Sequence, residues 1–128
     1  MKLKKHALLL LTILSIFFAC SDPDIEFNSP PELTLSPDLM VKTGDTLSSN
    51  CLWVKAVDEE NDPLTYQWLI VADDSLQPGI IIQGAIDTFY IPDKSKEGVV
   101  RYFVAVSDGH TEVGSNFITV TVCDTCGI

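Results

Sequence analysis

Leu64-Thr65-Tyr66-Gln67-Trp68-Leu69-Ile70-Val71 is the stretch from which the rest of the chain can be ordered. Leu64, Tyr66, Trp68 and Ile70 fall on one face of a period-two pattern, as in a strand whose inner face is covered. Trp68 then becomes the bulky centre of a core. The strand is entered through Asn61-Asp62-Pro63, a turn signal in which Asn and Asp side chains bond nearby backbone and proline presets φ.

The same alternation recurs downstream. Tyr102, Val104 and Val106 share one face and Arg101, Phe103, Ala105 and Ser107 the other; Ile118, Val120 and Val122 oppose Thr119, Thr121 and Cys123. A sheet covered on one side by a second sheet requires this. Strands are expected near 33–36 with 39–42, then at 46–57, 64–71, 79–83, 87–91, 99–107 and 114–123, separated by Gly, Pro, Asp or Asn. Nothing after the first twenty residues has the period of a long amphipathic helix. Seven short strands with turn signals describe an all-β sandwich. Ile80-Ile81-Ile82 reads as plain core, with an interaction edge as the alternative. If Leu52, Val54 and Ala56 point inward, Trp53 points outward beside Lys55. It then lies under a loop or the tether, or forms a surface for recognition.

The segment Lys55-Ala56-Val57-Asp58-Glu59-Glu60-Asn61-Asp62-Pro63-Leu64-Thr65-Tyr66-Gln67-Trp68 is followed by Gly98, by Tyr102-Phe103-Val104-Ala105-Val106-Ser107-Asp108-Gly109 and by Ile118-Thr119-Val120-Thr121-Val122. In content and order this resembles the polycystic-kidney-disease (PKD) and bacterial immunoglobulin-like domains. The resemblance spans roughly residues 33–122. It implies an immunoglobulin-like (PKD-like) antiparallel β-sandwich, with Tyr102 at the tyrosine-corner position, its hydroxyl tied to nearby main chain. It also implies a role in spacing, adhesion or glycan contact on secreted and surface proteins, and not catalysis.

At the start, Lys2, Lys4 and Lys5 precede a 13-residue apolar run from Ala7 to Ala19, which ends at Cys20 before Ser21-Asp22-Pro23-Asp24. This is the layout of a secretory signal peptide. The run falls short of the roughly 20 residues that a membrane span needs. It resembles a bacterial lipoprotein signal, which implies cleavage before Cys20 and acylation, palmitate included, that makes Cys20 the membrane attachment. Ser21 and the acids after it resemble lipoproteins of the outer membrane or cell surface. The expected organisation is signal peptide 1–19, lipidated tether 20–32, sandwich 33–123 and tail 124–128. Twelve tether residues, three of them proline, would reach roughly 35–40 Å if extended.

Removing residues 1–19 leaves five basic against 18 acidic residues, a formal balance of −13. Such a surface repels phosphate backbones, so nucleic acid is excluded as a partner. Polysaccharide or another envelope protein remains. Acidity of this kind first of all serves solubility.

The densest carboxylates, Asp58-Glu59-Glu60-Asn61-Asp62, lie in a loop expected at the same end as Asp108-Gly109-His110-Thr111-Glu112. Hard oxygen ligands suit calcium, with Asp58, Glu59, Asp62 and Asp108 as the candidate set; the plainer reading is solvated turn residues. Lipidation of Cys20 leaves Cys51, Cys123 and Cys126. A bridge from Cys51 to Cys123 or Cys126 is the favoured pairing and Cys123 with Cys126 the competitor. Catalysis has little support, since His110 is unaccompanied by any nucleophile elbow, Gly-rich phosphate loop or zinc-protease motif.

Overall fold

The computed structural model describes residues 26–71 and 78–126. Its nine strands are β1 (Glu32–Leu35), β2 (Leu39–Lys42), β3 (Leu52–Val57), β4 (Thr65–Val71), β5 (Ile80–Ile81), β6 (Phe89–Tyr90), β7 (Gly98–Ser107), β8 (Glu112–Gly114) and β9 (Ile118–Cys123). The smaller sheet has the order β1-β3-β6. The larger runs β2-β9-β7-β4-β5, with β8 also paired to β7. The signal peptide, Cys20 and the first part of the tether lie outside the described residues.

Period-two alternation builds the core as expected. Leu52, Val54, Trp68, Tyr102, Val104, Val106, Ile118, Val120 and Val122 are all buried between the sheets. Trp68 is fully buried, and its indole N–H donates to the Asp87 carbonyl at 2.9 Å. Burial on this scale needs such a partner, because an unpaired indole N–H forfeits its hydration.

The stretch 33–42 divides between the two sheets. β1 pairs antiparallel with β3, Leu35 opposite Val54, whereas β2 runs parallel to β9, Leu39 opposite Val120. The crossing falls at Ser36-Pro37-Asp38. Buried Ser36 donates its N–H to the Trp53 carbonyl at 2.9 Å and accepts the Trp53 N–H on Oγ at 3.1 Å. Asp38 accepts the Thr119 N–H at 2.8 Å. Pro37 has no N–H to give to a ladder, so the change of sheet occurs where least pairing is lost.

Other strands are shorter than expected too: 79–83 contracts to Ile80–Ile81 and 87–91 to Phe89–Tyr90, and two further stretches are cut by loops. Residues 46–51 form a loop ahead of β3, closed by buried Lys94, whose ammonium donates to Asp45 Oδ2 at 3.0 Å, the Leu47 carbonyl at 3.0 Å and the Asn50 carbonyl at 3.2 Å. The expected strand 114–123 is interrupted at 115–117. There the Ser115 hydroxyl takes the Val104 N–H at 2.9 Å while the Ser115 N–H donates to the Val104 carbonyl at 2.9 Å. The interruption turns Phe117 outward, edge-on to Phe103 at 6.1 Å and under the Arg101 guanidinium at 5.5 Å.

Ile80 and Ile81 are exposed, and only Ile82 packs against the core. The reading of all three as core is therefore overturned. Among the described residues β5 is a terminal strand paired only with β4, so its side chains meet no second neighbouring strand there.

Candidate functional site

The two acidic loops meet at one end of the sandwich, as expected, and several of their carboxylates are already engaged by the protein. Asp58 Oδ2 accepts the Asp62 N–H at 2.7 Å across a turn in which Asn61 takes a left-handed φ of 61°. Buried Asp108 accepts the N–H groups of His110 at 2.7 Å and Thr111 at 2.6 Å on Oδ1, and the Asn28 amide at 2.8 Å on Oδ2. Glu59 Oε2 accepts the Ser29 hydroxyl and Glu60 Oε1 the Ser29 N–H, each at 2.9 Å. His110 Nδ1 lies 3.7 Å from Asp62 Oδ2. The Thr111 amide, then the Asn28 amide, hold the Asp108 carboxyl below its ordinary range. The Ser29 amide does the same for Glu60, against partial desolvation and, to a smaller degree, the nearby charge of Asp108.

Asp58, Glu59, Asp62 and Asp108 thus share one end of the fold without forming a cage. Among the described residues no three Asp, Glu, His or Cys side chains gather in a way that holds a metal ion. Asp58 Oδ1 is buried without a hydrogen-bond partner, while Glu59 and Glu60 are turned to Ser29 and Asp108 to the amides of Asn28, His110 and Thr111.

Asn28 and Ser29, expected in a free tether, are bound to the domain, and Pro31 is buried. Polar Asn-Ser between acids and prolines reads as linker, and only the facing loops, far away in sequence, reveal the docking.

The cysteines also depart from the favoured pairing. Cys123 and Cys126 are disulfide-bonded, with Cα atoms 5.3 Å apart, and Cys51 has no cysteine partner among the described residues. Cys51 precedes β3 in the smaller sheet, whereas Cys123 sits opposite Lys42 of β2 in the larger one. After β9 the chain turns back within three residues and sets Cys126 Sγ 3.3 Å from the Val41 carbonyl oxygen.

Trp53 lies on the outer face of the smaller sheet. It stands directly opposite Phe89 in the β3–β6 pair, and the Lys55 ammonium sits 5.5 Å from its ring centroid. Phe89 is 50% exposed. Phe89 escaped sequence reasoning because its strand could be placed but its register against Trp53 could not. A half-buried Trp53 and a half-exposed Phe89 on facing positions of one strand pair, with a cation over the indole, suit contact with the apolar face of a ligand better than acid–base chemistry.

Tyr102 is buried as the resemblance implies, but its hydroxyl makes no hydrogen bond among the described residues. Its ring instead packs against Tyr90 at 5.6 Å, and burial pushes the phenol up to about 12.

No family model and no curated protein matches this sequence. Among solved structures the chain is similar to the PKD domain of human KIAA0319, determined in solution, at 18% identity. The alignment covers 84% of this chain and 95% of that one, with a TM-score of 0.50. Identity at that level speaks to architecture alone. The two-sheet topology, the Trp68 core and this likeness together establish a PKD-like, immunoglobulin-type β-sandwich fold.

Proposed function

We propose that this chain is an exported, lipid-anchored bacterial protein whose sandwich is a non-catalytic recognition module, with Trp53 and Phe89 at the centre of its contact surface. The observation that carries the reading is the register that sets half-buried Trp53 opposite exposed Phe89 on the outer face of the smaller sheet. Large aromatics on a rigid strand pair offer contact area at small entropic cost. The acids support the reading from the other side, because the carboxylates of Asp58 and Asp108 are spent as turn and loop acceptors. The basic, apolar, Cys-terminated segment 1–20 supports anchoring through acylated Cys20 at the outer membrane or cell surface. The ligand class is a neutral polysaccharide or the surface of an envelope protein, since the formal −13 of the mature chain repels anionic ones.

Two measurements test this. Intact mass of the membrane-extracted protein reports cleavage before Cys20 and the added acyl chains; a chain that begins elsewhere without lipid removes the anchoring. A glycan array probed with wild type and with Phe89→Ala tests the contact surface.

A second reading, a spacer that holds another part at a fixed distance from the membrane, is favoured by the docking of Asn28 and Ser29. That docking leaves residues 20–27 between Cys20 and the domain, a covalent reach of about 28 Å at most, and fixes the point from which it is measured. A spacer shows no saturable ligand.

A further inference from the structure

Arg101 is the only arginine of the chain, and in a protein with 18 carboxylates it forms no ion pair among the described residues. Its guanidinium lies instead 5.5 Å from the centre of the Phe117 ring, which stands edge-on to Phe103. The sheet beneath explains the isolation. β2, β9, β7, β4 and β5 contain no Asp or Glu, so this path of strands carries only Lys42 and Arg101 as charges, both positive. Because Val41, Tyr102, Val104 and Val120 point inward, alternation sets Lys42, Arg101, Phe103 and Thr119 on the outer face. Met40 (62%), Val99 (60%) and Phe117 (55%) are exposed on or beside it. Acids at the rim are otherwise placed: Asp38 accepts the Thr119 N–H, Glu97 accepts the Asp124 N–H, and Glu112 stands opposite Ser107, about 20 Å along β7 from Arg101.

We propose that the outer face of the larger sheet is a second contact surface, and that its occupant is a partner protein presenting one Asp or Glu carboxylate among apolar side chains. Arg101 meets the carboxylate with two N–H groups, while Phe117, Val99 and Met40 cover the apolar surroundings. A guanidinium stacked on a ring is held in one plane, so its fork loses little freedom when it meets a planar anion. Charge decides the occupant. A polyanion that reaches past this face meets the acids of a chain with five basic and 18 acidic residues beyond position 19. A single carboxylate meets only Lys42 and Arg101. Exposed Met, Val and Phe around a central Arg have the composition of a protein interface, in which arginine and aromatic side chains carry most of the energy. The surface lies on the opposite sheet from Trp53 and Phe89 and is independent of what they bind.

Titration of the full chain, in a neutral maltoside detergent, with acetyl-Leu-Glu-Leu-amide and with its Gln counterpart tests this, read by NMR at the Arg101 Nε–H and the Thr119 amide. The Glu peptide should saturate both resonances with an affinity about tenfold or more above that of the Gln peptide, a difference that shrinks as salt is added. Arg101→Lys, which keeps the charge but not the fork, should lose most of that preference at the Thr119 amide while the melting temperature holds. Trp53→Ala should keep it. Four results overturn the inference: an equal response, or none, to the two peptides; a Glu preference that survives Arg101→Lys; trigalacturonate moving the same resonances at lower concentration than the Glu peptide; or an Arg101 resonance that ignores both peptides and shifts in Asp73→Asn with Asp74→Asn.

Discussion

The side-chain amide of Asn28 donates a 2.8 Å hydrogen bond to Asp108 Oδ2, joining residues 80 positions apart. Together with Ser29 on Glu59 and Glu60, this bond makes the segment before β1 part of the domain, and neutral donors meet carboxylates that must be ionised to accept fully.

Acid should therefore loosen this end of the molecule. The folded pKa of Asp108 lies below the ordinary 3.8 and that of Glu60 below 4.5, for the hydrogen-bonding reasons above. A depressed folded pKa means that the unfolded chain takes up the proton first. The stabilisation is thus complete above the ordinary values and disappears as pH falls through the lower folded ones. Melting temperature measured across the acid range should fall most steeply below pH 4.5. Asn28→Ala, which removes one donor to Asp108, should lower the neutral-pH melting temperature and flatten that fall.

Trp68→Phe keeps an aromatic ring at the core but removes the N–H that reaches the Asp87 carbonyl and leaves part of the indole volume empty. A loss of about 1–3 kcal/mol in urea unfolding is expected. The Asp87 carbonyl lies in the segment linking β5 to β6, so amide exchange across 82–88 should accelerate more than in β9.

Gly79 passes directly over Phe103. A Cβ there would come within 2.5 Å of the Phe103 ring, so Gly79→Ala forces the ring or the chain to move. The expected cost is about 1–3 kcal/mol, and most of it should vanish in a Phe103→Ala background. A double-mutant cycle by chemical denaturation measures this coupling directly.

For the cysteines, alkylation of the folded, unreduced protein followed by peptide mapping should find Cys51 modified and Cys123 joined to Cys126. Closing so short a loop stabilises by roughly 2 kcal/mol in the chain-entropy model. Reduction should lower the melting temperature accordingly, while Cys51→Ala should leave it nearly unchanged. A peptide linking Cys51 to Cys123 or Cys126 would restore the pairing that the structure replaces.

The parts of this fold legible in the sequence were those written in period two. Tyr102, Val104 and Val106, or Ile118, Val120 and Val122, announce their face without knowledge of the partner strand. What could not be read depended on which strand neighbours which. Ser36-Pro37-Asp38 signals a turn but not a transfer between sheets. Lys94 in Asp93-Lys94-Ser95-Lys96 looks like any surface lysine until the loop at 46–51 closes over it. Ile80 and Ile81 carry the composition of a core, and their exposure follows only from β5 being terminal. The candidate site divides likewise. That Trp53 faces outward followed from alternation, whereas its partner Phe89 is a matter of register, and Asn28 and Ser29 found their acceptors through tertiary contacts alone.

Recognition through the Trp53–Phe89 face is tested most directly by a glycan array probed in parallel with wild type, Trp53→Ala and Phe89→Ala. Saturable binding to at least one neutral glycan is expected, lost in both variants while their melting temperatures stay close to wild type. Binding that survives both substitutions, or none by the wild type across the array, would contradict recognition of a saccharide by this face.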